Sequence, residues 1–323
     1  MASQESRLRY DIFRDWGWDG GQYEVQKMTH IFIDLLSDHL SLYHQADGII
    51  VNSREFSTCN GFVVAKEALT SLSNQIKAQG KFAILSIDRV IEEHDLNHLI
   101  SYLDCVMSLF DYFIYSDMAV YGYFREHHQL EKLIFDGKTL IASSYDLAYY
   151  RRQAITCFLT NELSFAEIKE IASKECFAFT VYGYHQIFYS RRELLDLYQT
   201  FQHQQETLGK QLLSLKEELR EEYYKIYQGE HGTFIYTPYI YMMFEEIKEL
   251  RDSLIMIRIN GLFLKEESMI NVLNCYHRLL HGDAVTTAEI KQINPHTGAG
   301  FLPNKSILLK DRPLPRKRQV EKK

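Results

Sequence analysis

The sequence predicts an α/β fold, a TIM-like (β/α) barrel of regular or irregular form. Short runs of β-branched and aromatic residues alternate with amphipathic helical patterns, which is typical of βα units around a parallel sheet. The 323 residues are enough for one such barrel, and about eight units close naturally into a ring. We expect a single α/β barrel domain over residues 1–309, with a basic tail over residues 310–323.

The first part of the chain supplies the clearest βα units. Residues 48–52 predict a strand, and 62–79 predict a helix that ends at Gly80. Asp95 is the expected N-cap of a later helix, and Ser164 of another. The remaining predicted elements are strands at 81–87, 111–115, 133–135, 154–159 and 176–181, and helices at 96–109, 117–129 and 165–173.

The pattern changes after Ser190. The charged, Gln-rich stretch 195–224 predicts a helix followed by a polar connection. Residues 224–227 and 233–236 flank a Gly-containing turn and predict an inserted β-hairpin. The alternation then returns, with a helix at 239–251, a strand at 254–259, a helix at 266–280 and a loop at 295–305.

Composition and charge exclude several classes of protein. The formal charge of −7 argues against a uniformly basic nucleic-acid-binding surface. The N-terminal residues carry too many charges for a secretion signal, and the apolar runs are too short to cross a bilayer. We therefore expect a cytoplasmic protein without a membrane partner. The five widely spaced cysteines lack zinc-site spacing and predict reduced, structural thiols.

The C-terminal tail concentrates positive charge. Residues 310–323 hold seven cations and two carboxylates, a local net of +5, which leaves −12 on the rest of the chain. A basic segment without aromatic residues cannot build a core, so a disordered, solvated tail is one interpretation. A phosphate-attracting arm that adds affinity for RNA is the other.

The segment 182–192 is the first candidate site, because the loops at the carboxyl ends of barrel strands form the site in such folds. It contains the candidate ligand-binding residues Tyr182, Gly183, His185, Tyr189, Ser190 and Arg192. We expect Ser190 to cap the following helix, which would place Arg191 and Arg192 in its first turn. Their anionic partner would be a glutamate such as Glu193 or Glu217, or a bound carboxylate or phosphate.

Two further stretches are candidates. Glu230 and His231 stand between the predicted hairpin strands, where His231 either donates to a ligand or locks the turn. Asn161 and Glu162 follow a predicted strand, with helix capping as the alternative role. His185 and Ser190 are not part of a G-x-S-x-G nucleophile elbow and have no identifiable carboxylate to orient the histidine, so we name no catalytic residue. No HExxH motif occurs, so we name no metal site.

These motifs resemble a known family. Tyr182-Gly183, Tyr189-Ser190-x-Arg192-x-Leu194-Leu195 and Glu230-His231-Gly232-Thr233 are similar to the signature of the collagenase-like peptidase family U-32, and the likeness spans most of the chain. Many members place cysteines where Gln186 and Glu193 stand here. The resemblance therefore implies that this chain does not carry the family's iron–sulfur cluster.

Within that family the chain looks most like the short, cysteine-poor subunit of Gram-positive bacteria that accompanies a cysteine-bearing relative. The resemblance implies a role in prephenate-dependent 5-hydroxylation of the wobble uridine of tRNA. It implies a heteromer with that relative, tRNA as a further partner and prephenate as a ligand of the complex. Arg192 could pair with such an acid bidentately.

Three hypotheses follow. The chain is a non-cluster subunit of a tRNA hydroxylation complex, a collagenase-like peptidase (a hydrolase), or a catalytically silent scaffold. The first predicts loss of hydroxyuridine on gene deletion, and the second predicts peptide cleavage that depends on Ser190 or His185. The third predicts that substitutions at Arg192 and His231 change partner binding or stability but do not change any catalytic turnover.

Overall fold

A curled, mostly parallel sheet forms the body of the protein. The computed structural model describes residues 29–58, 61–218 and 221–304. The strands of this main sheet are β1 His30–Asp34, β2 Gly48–Asn52, β3 Phe82–Ile87, β4 Tyr112–Tyr115, β5 Leu133–Phe135, β6 Thr156–Cys157, β7 Phe177–Gly183, β12 Ile240–Met242, β13 Leu254–Ile259 and β14 Thr297–Gly298. The strands of a second, antiparallel sheet are β8 Gln186–Ser190, β9 Leu212–Lys216, β10 Tyr223–Gly229 and β11 Gly232–Tyr236.

Helices separate most of the parallel strands. They are α1 Lys66–Ala78, α2 Leu96–Val106, α3 Met118–Glu126, α4 Ser144–Arg151, α5 Phe165–Ala172, α6 Leu194–Phe201, α7 Ile247–Leu250, α8 Glu266–Leu280 and α9 Thr287–Ile293. The predicted N-cap at Ser164 is confirmed, because its side chain and that of Glu167 form a capping box at α5. Asp95 precedes α2 without a side-chain capping bond, whereas Asp117 caps α3 by accepting from the amide of Ala119.

Eight parallel strands form a ring. The main sheet runs β14-β12-β7-β13-β1-β2-β3-β4-β5-β6. Phe158, directly after β6, forms a parallel bridge with Ala178 of β7, and the Leu159 amide donates to the Ala178 carbonyl at 2.9 Å. This contact joins β6 back to β7, which confirms the predicted barrel.

Two apolar layers stabilise the ring. The interior is filled by side chains that alternate along the strands, among them Phe32, Ile50, Ile84, Ile114, Ile134 and Met256. The larger outer core lies between strands and helices, where it buries residues such as Ile49, Leu103, Phe113, Phe124 and Tyr276. Because the strands are covered on both sides, they read as nearly continuous apolar runs.

An antiparallel insertion separates the last two barrel strands. Its order is β8-β11-β10-β9, and β10 and β11 form the predicted hairpin. Phe234 and Tyr236 of β11 are buried against the barrel side. The strand β12 pairs antiparallel with the end of β7, at Tyr182 and Gly183. The insertion therefore lies at the carboxyl end of the barrel strands.

Several predicted elements need correction. The segment 182–192, predicted as a loop that opens a helix, contains the strand β8, and α6 begins only at Leu194. The predicted helix at 239–251 is the strand β12 followed by the single turn α7. The polar connection after α6 contains the strand β9. In each case pairing with distant strands outweighs the local pattern.

Some predictions lie outside the described residues. The basic tail at 310–323 and Cys59 are among them, so the tail's disorder and the 1–309 domain boundary stay predictions. Within the part of the chain that the structure covers, no helix is both long and apolar enough to span a bilayer.

Candidate functional site

Polar side chains form a ring at the carboxyl ends of the barrel strands. Asp34 and Asn52 end β1 and β2, and Asp88 and Asp136 follow β3 and β5. Arg258 is the next-to-last residue of β13. All five are at least 90% buried by exposed surface area. This is the end of the barrel at which such folds place their sites.

The four charged side chains of this ring form one connected network with Lys138. Arg258 binds Asp34 through two nitrogens, Nη2 to Oδ1 at 2.8 Å and Nε to Oδ2 at 3.2 Å. Its Nη1 lies 3.5 Å from Asp136 Oδ2. Lys138 Nζ lies 2.7 Å from Asp136 Oδ2 and 3.0 Å from Asp88 Oδ2. The two cations thus bridge three carboxylates.

The pKa values follow from burial and from this pairing. Burial raises the pKa of Asp34, and the attraction of Arg258 only partly offsets it. Burial also acts to raise the pKa of Asp88, but Lys138 and the Thr58 amide outweigh it, so that pKa lies below its ordinary value. The pKa of Lys138 is raised, because Asp136 and Asp88 outweigh the desolvation of the ammonium.

The local backbone places Lys138 at the centre of the network. Lys138 has φ of 56°, in the left-handed region that few non-glycine residues adopt. Its amide donates to Asp136 Oδ1 at 3.1 Å, which holds this turn after β5. The turn brings the ammonium between two carboxylates, and such strain is concentrated at functional sites.

His185 forms part of the wall above this network. Gly183, with φ of 128°, allows the chain to pass Asn260, because a Cβ atom there would lie 2.3 Å from the Asn260 carbonyl oxygen. The His185 ring stacks on Tyr241 with centroids 4.5 Å apart. Its Nε2 atom is buried and has no hydrogen-bond partner among the described residues. Burial lowers the pKa of His185 to about 3, so the imidazole is neutral at physiological pH.

A cavity lies between the network and the insertion. Its volume is about 150 Å³, measured as the space open to the centre of a water molecule. One water needs about 10–15 Å³ on this measure, so the cavity has room for a small organic group. The lining includes Asp34, Asn52, Asp88, Asp136, Lys138, Asn161, Glu162, His185, Tyr239, Tyr241, Arg258, Asn260 and Phe301.

Three of the predicted candidates line this cavity. They are His185, Asn161 and Glu162. Asn161 Nδ2 donates to the Thr180 carbonyl at 2.8 Å, so the segment after β6 is tied to β7. Glu162 is exposed at the rim. The capping role weighed for this stretch belongs instead to Ser164.

Three other candidates do not line the cavity. Tyr182 is buried on the outer side of the barrel, where its hydroxyl accepts from Asn294 Nδ2 at 2.6 Å. The Tyr189 hydroxyl donates to the His231 carbonyl at 3.0 Å. Ser190 lies in β8, so it does not cap α6, and its Oγ accepts from the amide of Arg192.

The two arginines at 191 and 192 have different surroundings. Arg191 pairs with Glu92, not with the glutamates considered from the sequence. The side chain of Arg192 is exposed, and no ion pair reaches it from residues 29–58, 61–218 or 221–304. Both precede α6, and neither lies in its first turn.

The turn at 229–233 has a structural role. Glu230 pairs with Lys210 at 2.9 Å on the surface. His231 is half-buried, with Nδ1 3.4 Å from Arg89 Nη1, and its pKa is lowered by burial and by Arg89. The Thr233 hydroxyl donates to the Arg192 carbonyl at 2.8 Å and accepts from the amide of Leu194. These bonds attach the hairpin to the start of α6.

The sequence interpretation missed the charged network. A signal was present, because Arg258 is a lone cation in the aliphatic run 254–259, and a buried charge requires a partner. Asp34, Asp88 and Asp136 each end an apolar run, which is where barrel sites are built. The partners are far apart in sequence, so spacing alone could not connect them.

The described side chains do not fit an iron–sulfur cluster. Gln186 lines the cavity at the start of β8, and Glu193 is exposed before α6. The four described cysteines form no disulfide bond with one another and lie in or beside four different elements, at Cys105, Cys157, Cys176 and Cys275. No group of three or more His, Cys, Asp or Glu within the covered segments could hold a metal ion. No chemical step is therefore assigned to a cluster on this chain.

The ring of eight parallel strands with a polar site at its carboxyl end defines a (β/α) barrel protein. The model of peptidase family U32 matches residues 39–298. The chain therefore belongs to peptidase family U32.

The chain is distantly similar to several known proteins. The chain is 25% identical over 226 residues to a Bacillus subtilis (strain 168) protein named "tRNA hydroxylation protein P2", an alignment that covers 67% of this chain and 73% of that protein. The structure of the U32 peptidase Mk0906 is similar over 76% of this chain and 97% of that chain, with 14% identity and a TM-score of 0.43. A thiamine phosphate pyrophosphorylase from Pyrococcus furiosus is similar over 83% and 98%, with 8% identity and a TM-score of 0.39.

Proposed function

We propose that this chain is a non-cluster subunit in 5-hydroxylation of the wobble uridine of tRNA, and that it acts beside a cysteine-bearing homologue. The observation that carries the proposal is a complete, buried polar site at the barrel mouth of a chain that has Gln186 and Glu193 at the family's cysteine positions. Such a chain can bind and orient a substrate group without itself supplying redox chemistry. Its similarity to a protein named for tRNA hydroxylation supports the substrate.

The peptidase alternative has less support from the geometry. A serine nucleophile that is activated by a histidine needs that histidine within hydrogen-bond reach. Ser190 lies in β8 and binds the Arg192 amide, whereas His185 lines the cavity and stacks on Tyr241. No hydrogen bond joins Ser190 to His185 in the described part of the chain.

A partner is supported by exposed apolar side chains on the insertion. On α6, Leu197, Tyr198 and Phe201 are 54%, 57% and 77% exposed. Phe188 and Leu215 on β8 and β9 are also exposed. Exposed apolar patches such as the one on α6 are typical of protein interfaces. We place the homologous subunit against α6 and the antiparallel sheet.

Prephenate remains a proposal for the complex. The lining of the cavity holds four carboxylates, Asp34, Asp88, Asp136 and Glu162, against the two cations Lys138 and Arg258. A doubly charged acid would meet net negative charge there. We therefore place prephenate on the partner or at the interface, where Arg192 is accessible.

A deletion strain tests the proposed function. Mass spectrometry of its tRNA nucleosides should show loss of 5-hydroxyuridine, and the wild-type gene should restore it.

Purification of a tagged chain should recover the cysteine-bearing homologue, and Phe201→Ser should weaken that recovery. Tyr145→Ser is the matched control, because Tyr145 is 86% exposed on α4, away from the insertion. Unchanged hydroxyuridine in the deletion strain would refute the proposal. The silent-scaffold hypothesis predicts that Phe201→Ser reduces recovery of the partner while the hydroxyuridine content stays the same.

A further inference from the structure

We propose that the cavity at the barrel mouth binds an unstacked, neutral pyrimidine base of an RNA. This inference rests on the proposed function and names the group that the site would hold. It is carried by three properties of the described residues, which are the charge of the lining, the stacked rings of its wall and the hydrogen-bonding groups that remain available.

The charge of the lining selects against anions. Both cations already form ion pairs. Arg258 pairs with Asp34, and Lys138 pairs with Asp136 and Asp88. Since carboxylates outnumber cations in the lining, a phosphate would be repelled, whereas a neutral ring would not. The RNA backbone would therefore stay outside, and the base alone would enter.

The wall offers flat surfaces for a ring. His185 and Tyr241 stack with an interplanar angle of 29°, and Tyr239 lies in the same wall. Gly298 and Gly300 bring the segment 298–301 against these tyrosines, because a Cβ at Gly298 would lie 2.7 Å from the Tyr239 ring. Phe301 and Phe62 add partly exposed rings at the rim. Proteins commonly hold unstacked bases between such side chains.

Hydrogen-bonding groups match the edge of a pyrimidine. The buried Nε2 atom of His185 is unpartnered within the described residues and belongs to a neutral ring that can donate or accept. Asn161 Nδ2 donates to the Thr180 carbonyl and also interacts with the Tyr241 hydroxyl, and Asn260 Oδ1 accepts from the Leu262 amide, so the orientation of both side chains is fixed. A side-chain amide can meet the alternating acceptors and donor of uracil.

The test compares two RNAs on the purified full-length chain. One is an anticodon stem-loop with uridine at the wobble position, and the other is the same RNA with an abasic site there. Stacking of one base contributes about 1–3 kcal/mol, so the wild type should bind the uridine RNA at least about fivefold more tightly. A photoreactive 5-iodouridine at that position should crosslink to peptides that contain residues 184–187 or 239–241.

Variants separate the pocket from general RNA binding. His185→Ala should reduce the preference for the uridine RNA to less than about twofold. His185→Gln, which retains a polar side chain, should keep part of it, and Tyr149→Ala on the outer face of α4 should keep all of it. Thermal melting of each variant checks that it is folded.

Several outcomes would overturn the inference. Equal affinity of the wild type for both RNAs would do so, as would a crosslink confined to other peptides, or loss of uridine preference on addition of inorganic phosphate at constant ionic strength. Loss of hydroxyuridine in the deletion strain together with no base preference would overturn this inference alone. A clear base preference with unchanged hydroxyuridine would instead overturn the proposed function.

Discussion

Arg258 is a charged residue within a strand of aliphatic side chains. Desolvating its guanidinium is costly, and the bidentate contact with Asp34 and the contact with Asp136 offset that cost. Burial acts to lower the pKa of Arg258, but Asp34 outweighs it and the pKa stays above the ordinary value. The charge is therefore permanent, and it organises the floor of the cavity.

Removal of this cation should destabilise the barrel strongly. Arg258→Met leaves Asp34 buried without its ion-pair partner and removes one of the two cations beside Asp136, which keeps Lys138. The free energy of unfolding should fall by about 3–5 kcal/mol. Urea denaturation measures the change. Lys169→Ala is the control, because Lys169 and Glu249 form an exposed pair whose loss should cost about 1 kcal/mol or less. A similar, small loss for both variants would contradict the assigned role.

His185 should make stability depend on pH. Burial lowers its pKa from 6.5 to about 3 in the folded chain, so between these pH values the unfolded chain binds more protons. The contribution of the neutral His185 side chain to the free energy of unfolding is fully present above pH 6.5 and is lost as the pH falls toward 3. The stability advantage of the wild type over His185→Gln should shrink between pH 7.5 and 4.5 in urea denaturation. Parallel stability curves for the two proteins would contradict the buried, neutral imidazole.

At the scale of the elements, Gly232 determines the turn between β10 and β11. Its φ is 121°, and a Cβ there would lie 2.1 Å from the Ser190 carbonyl oxygen. Gly232→Ala should therefore destabilise the protein by at least about 1–3 kcal/mol. This contact with β8 gives a physical reason for a glycine after His231.

A helical glycine provides the matched control. Gly122 lies in α3, and nothing stands within 4 Å of a Cβ built there. Gly122→Ala should stabilise the protein by about 0.5–1 kcal/mol, since alanine loses less conformational entropy in a helix. Thermal unfolding of both variants gives the comparison. Equal effects of the same sign would show that the turn does not require glycine.

The barrel elements were predictable from sequence because each strand is buried on both faces and forms a short apolar run. The insertion was predicted less well. Its strand β8 lies beside β11, about 45 residues further along the chain, and its local pattern of a polar turn before α6 obscured the pairing. The strand β9, at residues 212–216, is largely exposed and lies in a charged, Gln-rich stretch, so it had no periodic signal.

At the scale of the whole molecule, the fold brings together strand ends that sequence spacing could not connect. His185, Asn161 and Glu162 were found as candidates because they follow predicted strands. Asp34 and Arg258 are 224 residues apart, and only the closed ring makes them neighbours. Motifs such as Glu230-His231-Gly232-Thr233 instead mark contacts within the insertion, which join its hairpin to β8 and to the start of α6.

The most direct test is the 5-hydroxyuridine content of tRNA from a deletion strain that carries wild-type or variant copies of the gene at equal protein levels. The wild type and Tyr149→Ala should restore the modified nucleoside, whereas His185→Ala, which alters the cavity wall, should not. Full hydroxylation without the gene would contradict a role in this modification. Full restoration by His185→Ala would contradict the placement of the substrate in the barrel mouth.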